Sequence, residues 1–236
     1  MLIDTHCHFD MMSRPEEYIW QREQAGDIII GMTNLPSHFM MGRPHVMALK
    51  HIRLALGMHP LLVDGKKEEL PLFGQLVDQT HFIGEIGLDF SREGVATKLS
   101  QMDALHEILN ILRGKKKIVS VHSRRAEKEL LGLLREYEIQ DVVFHWYSGP
   151  AELIPEILSR GYYFSINEAM TLSKNGRAII ERIPRERMLT ESDAPYNEKS
   201  DIRKVLIALG IVESEVHANF KRLIERVYLN DVSRPC

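Results

Sequence analysis

The sequence contains little cysteine and no long apolar segment. Its two cysteines, Cys7 and Cys236, cannot form a disulfide framework or a thiolate zinc site in a chain of 236 residues. A reducing compartment is therefore expected. No stretch approaches the roughly 18 apolar residues that cross a bilayer, and the first residues lack the charged start and apolar run of a signal peptide. The sequence predicts a cytoplasmic protein with no membrane attachment.

Net positive charge is also absent. The 30 Lys and Arg residues are outnumbered by 33 Asp and Glu residues, which gives a formal net charge of -3. A protein that coats DNA needs a cationic field over its surface, so any nucleic-acid contact here has to be local. There is no long linker, internal repeat or low-complexity tract. We therefore expect one domain over residues 1–236.

Eight short apolar segments recur along the chain, and segments with helical spacing of apolar residues separate them. The predicted strands cover residues 2–7, 27–33, 52–57, 81–86, 117–121, 141–145, 162–166 and 187–190. Near-continuous apolar strands that alternate with amphipathic helices indicate a parallel sheet covered by helices, and eight such units predict a (β/α)8 TIM barrel. An open doubly wound sheet is the alternative. No glycine-rich phosphate turn follows the first strand, which argues against it.

Residues of the types that bind metals gather where the predicted strands end. In a barrel these strand ends share one rim. In chain order these residues are His6, His8, His59, Glu85, Asp89, His122, His145 and Asp193.

The spacing of these residues predicts a metal site. His6 and His8 are two apart on an extended strand, so their imidazoles share a face and can reach one ion. Glu85 ends an apolar strand, and a buried carboxylate is costly without a partner, which favours a cation beside it. Two cations can share such a carboxylate, and His122 and His145 then supply nitrogen ligands for the second.

Seven motifs carry a resemblance to a known family. They are His-Cys-His-Phe-Asp at 6–10, Gly-Met-His-Pro at 57–60, Gly-Glu-Ile-Gly-Leu-Asp-Phe at 84–90, His-Ser-Arg at 122–124, His-Trp-Tyr-Ser-Gly at 145–149, Glu-Ser-Asp-Ala-Pro at 191–195 and Asn-Phe-Lys-Arg-Leu at 219–223. With these seven motifs in this order, the chain resembles the TatD-type deoxyribonucleases of the amidohydrolase superfamily.

The resemblance implies a hydrolase with two divalent ions that cleaves phosphodiester bonds in DNA. Its ligand sets would be His6, His8, Glu85 and Asp193 for one ion, and Glu85, His122 and His145 for the other. A mixed shell of imidazole and carboxylate fits Zn or Mn slightly better than Mg.

Catalytic and substrate-binding roles are expected for several of these residues. Asp193 would accept the proton of the attacking water, with Glu85 joining the ions. His59 would face the scissile phosphate and Arg124 would neutralise its charge, although a structural ion pair is an equal alternative for Arg124. Trp146 could stack on a base.

Departures from the family leave the substrate open. Arg125 stands where members often have Asp, and the loops after Asp89 and Pro195 are short. Hydrolysis of another ester or C–N bond, such as an aminoacyl ester on tRNA, is one alternative, and a nucleic-acid-binding subunit is another. The compact length also resembles members found in anti-phage gene clusters, which implies protein partners in an antiviral defence complex.

Overall fold

The chain forms a barrel of eight parallel strands in a computed structural model that describes residues 1–197 and 200–228. Cys236 lies outside the described residues. The strands are Ile3–Cys7 (β1), Ile28–Gly31 (β2), Ile52–Leu54 (β3), Phe82–Gly87 (β4), Ile118–His122 (β5), Asp141–His145 (β6), Tyr163–Ile166 (β7) and Met188–Thr190 (β8). All eight predicted strands are present, so the predicted TIM barrel is confirmed.

Helices follow the strands and cover the outside of the barrel. They are Pro15–Ala25 (α1), Pro36–Val46 (α2), Glu69–Leu76 (α3), Lys98–Leu112 (α4), Glu127–Glu136 (α5), Ile154–Ser159 (α6), Glu168–Leu172 (α7), Lys174–Ile180 (α8), Ile202–Leu209 (α9) and Glu213–Tyr228 (α10). Because helices lie outside and side chains fill the interior, the strands are buried on both faces except at Arg53 of β3, which is exposed. No helix within residues 1–197 and 200–228 has both the length and the apolar character of a bilayer span.

The strands form two hydrogen-bonded sheets that meet at two seams. The sheets have the orders β1-β2-β3 and β4-β5-β6-β7-β8. At the first seam, Leu56 N donates to Phe82 O at 3.0 Å and Leu56 O accepts from Gly84 N at 2.9 Å. The third strand ends at Leu54 rather than at residue 57, because from Leu56 onward the backbone bonds to β4.

Side chains close the second seam, between β8 and β1. Thr5 Oγ1 donates to Thr190 O at 3.0 Å, and Thr190 Oγ1 donates to Ile3 O. Just above them, Asp193 N donates to His6 O at 2.9 Å. The first and last strands are therefore joined beside two candidate metal ligands.

Helix α10 is fixed beneath β8 by one buried side chain. Asn219 is 3% exposed, and its Nδ2 donates to Arg185 O and to Met188 O, both at 2.7 Å. Arg222 donates in turn to Asn219 Oδ1. Both carbonyls lie at the entry to β8, so this one amide sets where the last strand begins.

We expect Asn219→Ala to destabilise the fold by about 2 kcal/mol, because the buried Met188 carbonyl and the partly buried Arg185 carbonyl lose their donor. Urea unfolding followed by circular dichroism measures the shift in midpoint. Asn110→Ala, at an exposed position of α4, is the matched control and should change stability by less than about 0.5 kcal/mol. Equal midpoints for the two variants would show that the Asn219 amide does not hold α10 in place.

Candidate metal centre

The six predicted ligands lie together at the carboxyl ends of the strands. His6 and His8 lie at the end of β1, and His122 and His145 are the last residues of β5 and β6. Glu85 lies in β4, and Asp193 lies in the loop after β8. His122 is partly exposed, whereas the other five are buried: His6, His8, Glu85, His145 and Asp193. Alternation along each strand and the shared direction of the strands bring these side chains to one rim.

Glu85 lies at the middle of the cluster, and its two oxygens face different pairs of imidazoles. Oε2 lies 3.2 Å from His8 Nε2 and 3.5 Å from His6 Nε2. Oε1 lies 2.6 Å from His122 Nδ1 and 3.1 Å from His145 Nε2. Each oxygen of the carboxylate therefore faces two nitrogen donors, and the two pairs adjoin one another, because the rings of His6 and His145 stack with their centroids 3.8 Å apart.

Asp193 lies on the side of His6 and His8. Its Oδ1 is 3.7 Å from His6 Nε2 and 3.8 Å from His8 Nε2. By these distances, His6, His8 and Asp193 lie on the side of Glu85 Oε2, and His122 and His145 lie nearest to Oε1. The sets overlap, because ligand atoms of His6, Glu85 and His145 also lie within 4.8 Å of one another, as do those of His59, Glu85 and His122. The two ligand sets that the family resemblance implies stay a prediction.

The far nitrogens of three imidazoles are held by neighbouring side chains. His6 Nδ1 lies 2.9 Å from Ser120 Oγ, His122 Nε2 lies 2.9 Å from Asp89 Oδ2, and His145 Nδ1 lies 3.3 Å from Glu191 Oε1. Such contacts fix the tautomer and the orientation of a ligating histidine and raise its basicity. His8 Nδ1 is buried and has no hydrogen-bond partner among the described residues.

Glu191 and Ser120 are parts of the site that the sequence did not reveal. Glu191 is fully buried, and its carboxylate accepts from Asn167 Nδ2 at 2.9 Å, from Trp146 N at 3.1 Å and from Ser165 Oγ. Glu191 opens the motif at 191–195, but the sequence analysis gave it no role of its own. The direction of the Glu191 side chain depends on its contacts with residues of and after β6 and β7. The spacing of residues in the sequence does not show these contacts.

The electrostatics of the centre fit a divalent cation. In the described part of the chain, the ion pairs of Glu85 and Asp193 are to histidines only. Burial raises the pKa of Asp193 to about 7. Burial opposes ionisation of Glu85 as well, but the surrounding imidazoles, His59 first, hold its pKa well below the usual range. Buried carboxylates among nitrogen lone pairs, without Lys or Arg, form a donor set that zinc or manganese accepts.

His59 lies beside this centre but is set up as a donor. Its Nδ1 accepts a hydrogen bond from Leu61 N at 3.2 Å, and its Nε2 lies 3.6 Å from Glu85 Oε2. Burial lowers the pKa of His59 to about 4, so the ring is neutral near neutral pH. Because Nδ1 accepts, the single ring proton is on Nε2. His59 therefore presents an N–H to the cavity and no lone pair.

A cavity of about 630 Å³ opens over the centre. Arg124 lies in its wall, is 54% exposed and pairs with Glu93 Oε2 at 3.6 Å. This position is compatible with a structural ion pair and also with contact to a substrate phosphate, because the ion pair is exposed and Arg124 lines the cavity. The other wall residues include an apolar and aromatic set: Leu61, Leu62, Trp146 and Tyr196. The space suits a substrate with both an anionic and a flat apolar part.

Comparison with known proteins links the chain to a family of hydrolases. The family model described as TatD related DNase matches residues 3–224. An uncharacterized metal-dependent hydrolase of Methanocaldococcus jannaschii is 25% identical over 91% of this chain and 90% of that protein. The metal-dependent hydrolase YcfH of Escherichia coli is 27% identical over 83% and 78%, and the human deoxyribonuclease TATDN3 is 25% identical over 82% and 78%.

Solved structures show the same fold. YjjV, a TatD homologue from Escherichia coli, superposes with a TM-score of 0.83 at 23% identity, over 97% of this chain and 98% of that chain. A TatD-family hydrolase from Entamoeba histolytica gives 0.70 at 19% identity, over 98% and 96%.

We expect Glu191→Gln to weaken metal binding by about 10- to 100-fold, because His145 loses the carboxylate that orients it and raises its basicity. Calorimetric titration of the metal-free protein with Zn or Mn measures this. Glu93→Gln is the matched control, since Glu93 is an exposed carboxylate on the wall of the same cavity. Wild-type affinity in Glu191→Gln, with an unchanged melting temperature, would remove Glu191 from the site.

Proposed function

This chain belongs to the TatD-related DNase family of metal-dependent hydrolases, and we propose that it cleaves phosphodiester bonds of DNA at a centre of two divalent ions. The two-ion proposal rests on one observation, namely that the two carboxylate oxygens of Glu85 face different imidazoles. Its Oε2 faces His6 and His8, whereas its Oε1 faces His122 and His145. A carboxylate with donors on both sides suits an ion on each.

Zinc or manganese fits the proposed centre better than magnesium. Four of the six ligands are imidazoles, which suit Zn and Mn, whereas Mg prefers oxygen ligands and retains water. When bound, such a pair of ions supplies Lewis acidity, which favours loss of a proton from water and neutralises charge on phosphoryl oxygens.

The residues of the chain divide the remaining work. Asp193 Oδ1, next to His6 and His8, accepts the proton of the attacking water. His59 donates its Nε2–H to a phosphoryl oxygen, and Arg124 offsets the charge of the phosphate. Trp146, half-buried in the cavity wall, offers a face on which a base can stack. The water oxygen then bonds to phosphorus, the P–O bond to the leaving nucleoside breaks, and the leaving oxygen takes up a proton from solvent while Asp193 returns its own proton to solvent.

One observation favours a second candidate, hydrolysis of a carboxylic ester such as an aminoacyl ester on tRNA. Among the described residues that line the cavity, Arg124 is the only Lys or Arg, and Glu93 already pairs with it. A carboxylic ester carries no phosphate at the bond to be broken and needs no such cation. Cleavage of an aminoacyl ester by metal-loaded protein that leaves DNA intact would favour this candidate.

Two further proposals come from the sequence alone. One is a nucleic-acid-binding role within an antiviral defence complex, and the other is the presence of protein partners there. Pull-down from cells that carry the native gene neighbourhood would test both.

We expect Asp193→Asn to lower cleavage of end-labelled single-stranded DNA by about 10²- to 10⁴-fold, because the proton acceptor is lost. Assays with Mg, Mn or Zn, with and without a chelator, measure the metal-dependent rate. Asp103→Asn, at an exposed position of α4, is the matched control and should cleave as wild type. Full activity in Asp193→Asn, at unchanged metal content, would overturn the role of this carboxylate.

The salt dependence of DNA binding tests Arg124. In an Asp193→Asn background, which leaves the strand intact, log Kd is plotted against log NaCl concentration. We expect Arg124→Gln to make this slope shallower by about 0.7, the contribution of one phosphate contact on a single strand. Arg92→Gln, an exposed arginine outside the cavity lining, should leave the slope unchanged. The same slope in both variants would mean that Arg124 serves only its ion pair with Glu93.

A further inference from the structure

Tyr196 stands over the metal centre without an assigned role. It follows Pro195 in the loop after β8, is 60% exposed and lines the same cavity as His59 and Arg124. Its ring meets the ring of His8 edge-on, with the centroids 5.1 Å apart. The phenol is therefore beside the His6 and His8 side of the centre.

Asn34 orients the hydroxyl of Tyr196. Its Nδ2 donates to Tyr196 Oη at 3.2 Å, and the Asn34 residue is 5% exposed, at the end of the β2 segment. The main-chain oxygen of Asn34 accepts a hydrogen bond from His59 N at 2.8 Å. One buried residue thus positions both Tyr196 and His59, which we propose to touch the substrate.

The hydrogen bond from Asn34 determines what Tyr196 can do. A hydroxyl that accepts from an amide has its own hydrogen directed elsewhere. In the described part of the chain, Tyr196 Oη donates to no protein group. A phenol keeps its proton near neutral pH, because its ordinary pKa is about 10. The hydroxyl therefore keeps its own hydrogen available to a ligand in the cavity that Tyr196 lines.

We propose that Tyr196, oriented by Asn34, is a catalytic residue that donates its hydroxyl hydrogen bond to a non-bridging oxygen of the scissile phosphate. The inference rests on the proposed phosphodiesterase function. Fixed donors aimed at oxygens that gain charge in the transition state are effective because they need no reorganisation. Tyr196 adds such a donor beside His59 without adding a further cation.

The position of Tyr196 favours a hydrogen bond to a non-bridging phosphoryl oxygen over one to the leaving oxygen. Tyr196 is three residues after Asp193, the proposed proton acceptor, and its ring contacts His8 on the same side of the centre. In an in-line displacement the leaving oxygen departs on the side of phosphorus opposite to the attacking water. A donor next to the water's side reaches a non-bridging oxygen.

Two substrates with the same phosphoryl group and different leaving groups test this. They are the p-nitrophenyl ester of thymidine 5′-monophosphate and a thymidine dinucleotide. We expect Tyr196→Phe to lower kcat about 100-fold on both, with little change in KM or in metal content. Tyr137→Phe is the matched control, because its hydroxyl contacts His106 between α4 and α5, and it should act as wild type.

A double-mutant cycle tests the part of Asn34. We expect Asn34→Ala to lower kcat about 10-fold, and the double variant with Tyr196→Phe to be no slower than Tyr196→Phe alone, since Asn34 acts through the phenol. Effects that multiply would overturn the link between Asn34 and Tyr196.

Other outcomes separate the inference from the function on which it rests. Wild-type kcat in Tyr196→Phe, with an active wild-type enzyme, overturns the inference alone. A loss confined to the dinucleotide, which has the poorer leaving group, overturns it too, because Tyr196 would then protonate the leaving oxygen. A metal-loaded wild-type enzyme that cleaves neither substrate overturns the proposed function, and the inference with it.

Discussion

The cost of burying the Glu85 carboxylate is the constraint around which the site is arranged. Its side chain is 3% exposed, and among the described residues five imidazoles, and no Lys or Arg, pair with it within 3.6 Å. A buried anion is tolerated only with compensating charge or donors. Imidazoles stabilise the anion in the metal-free protein and offer lone pairs to a cation when one is bound. The same imidazoles therefore stabilise the Glu85 carboxylate without a metal and can bind a metal when it is present.

Local backbone strain accompanies this arrangement. Trp146 and Asp193 have positive φ angles of 37° and 53°, a region that side chains other than glycine rarely adopt and that costs on the order of 1 kcal/mol or more. Each residue comes just after a strand that ends at the rim. The bond from Trp146 N to Glu191 Oε1 holds one of these conformations, and the bond from Asp193 N to His6 O holds the other. The strain is therefore offset by contacts between strands.

The sequence predicted the barrel and the six candidate ligands because both depend on local pattern. Apolar β-branched runs mark the strands, and polar residues of ligand type at their ends stand out against those runs. Of the residues that support the ligands, Asp89 stands out at a strand end in the same way, whereas Ser120 and Glu191 were given no role. Asn34 and Glu191 are ordinary polar residues at strand ends, and their roles come from contacts with Tyr196 and His145 far away in the chain. Such pairings follow from the closed barrel and not from the spacing within a segment.

The candidate metal centre can form only after the seam between β8 and β1 has closed. Thr190 and Ile3, 187 residues apart, meet there, and His6 accepts the N–H of Asp193 beside them. During synthesis from the N-terminus, five of the six ligands emerge before β8. They have no closed barrel to hold them until the last strand arrives. The six candidate ligands therefore come together only after β8 has joined β1, late in the synthesis of the barrel.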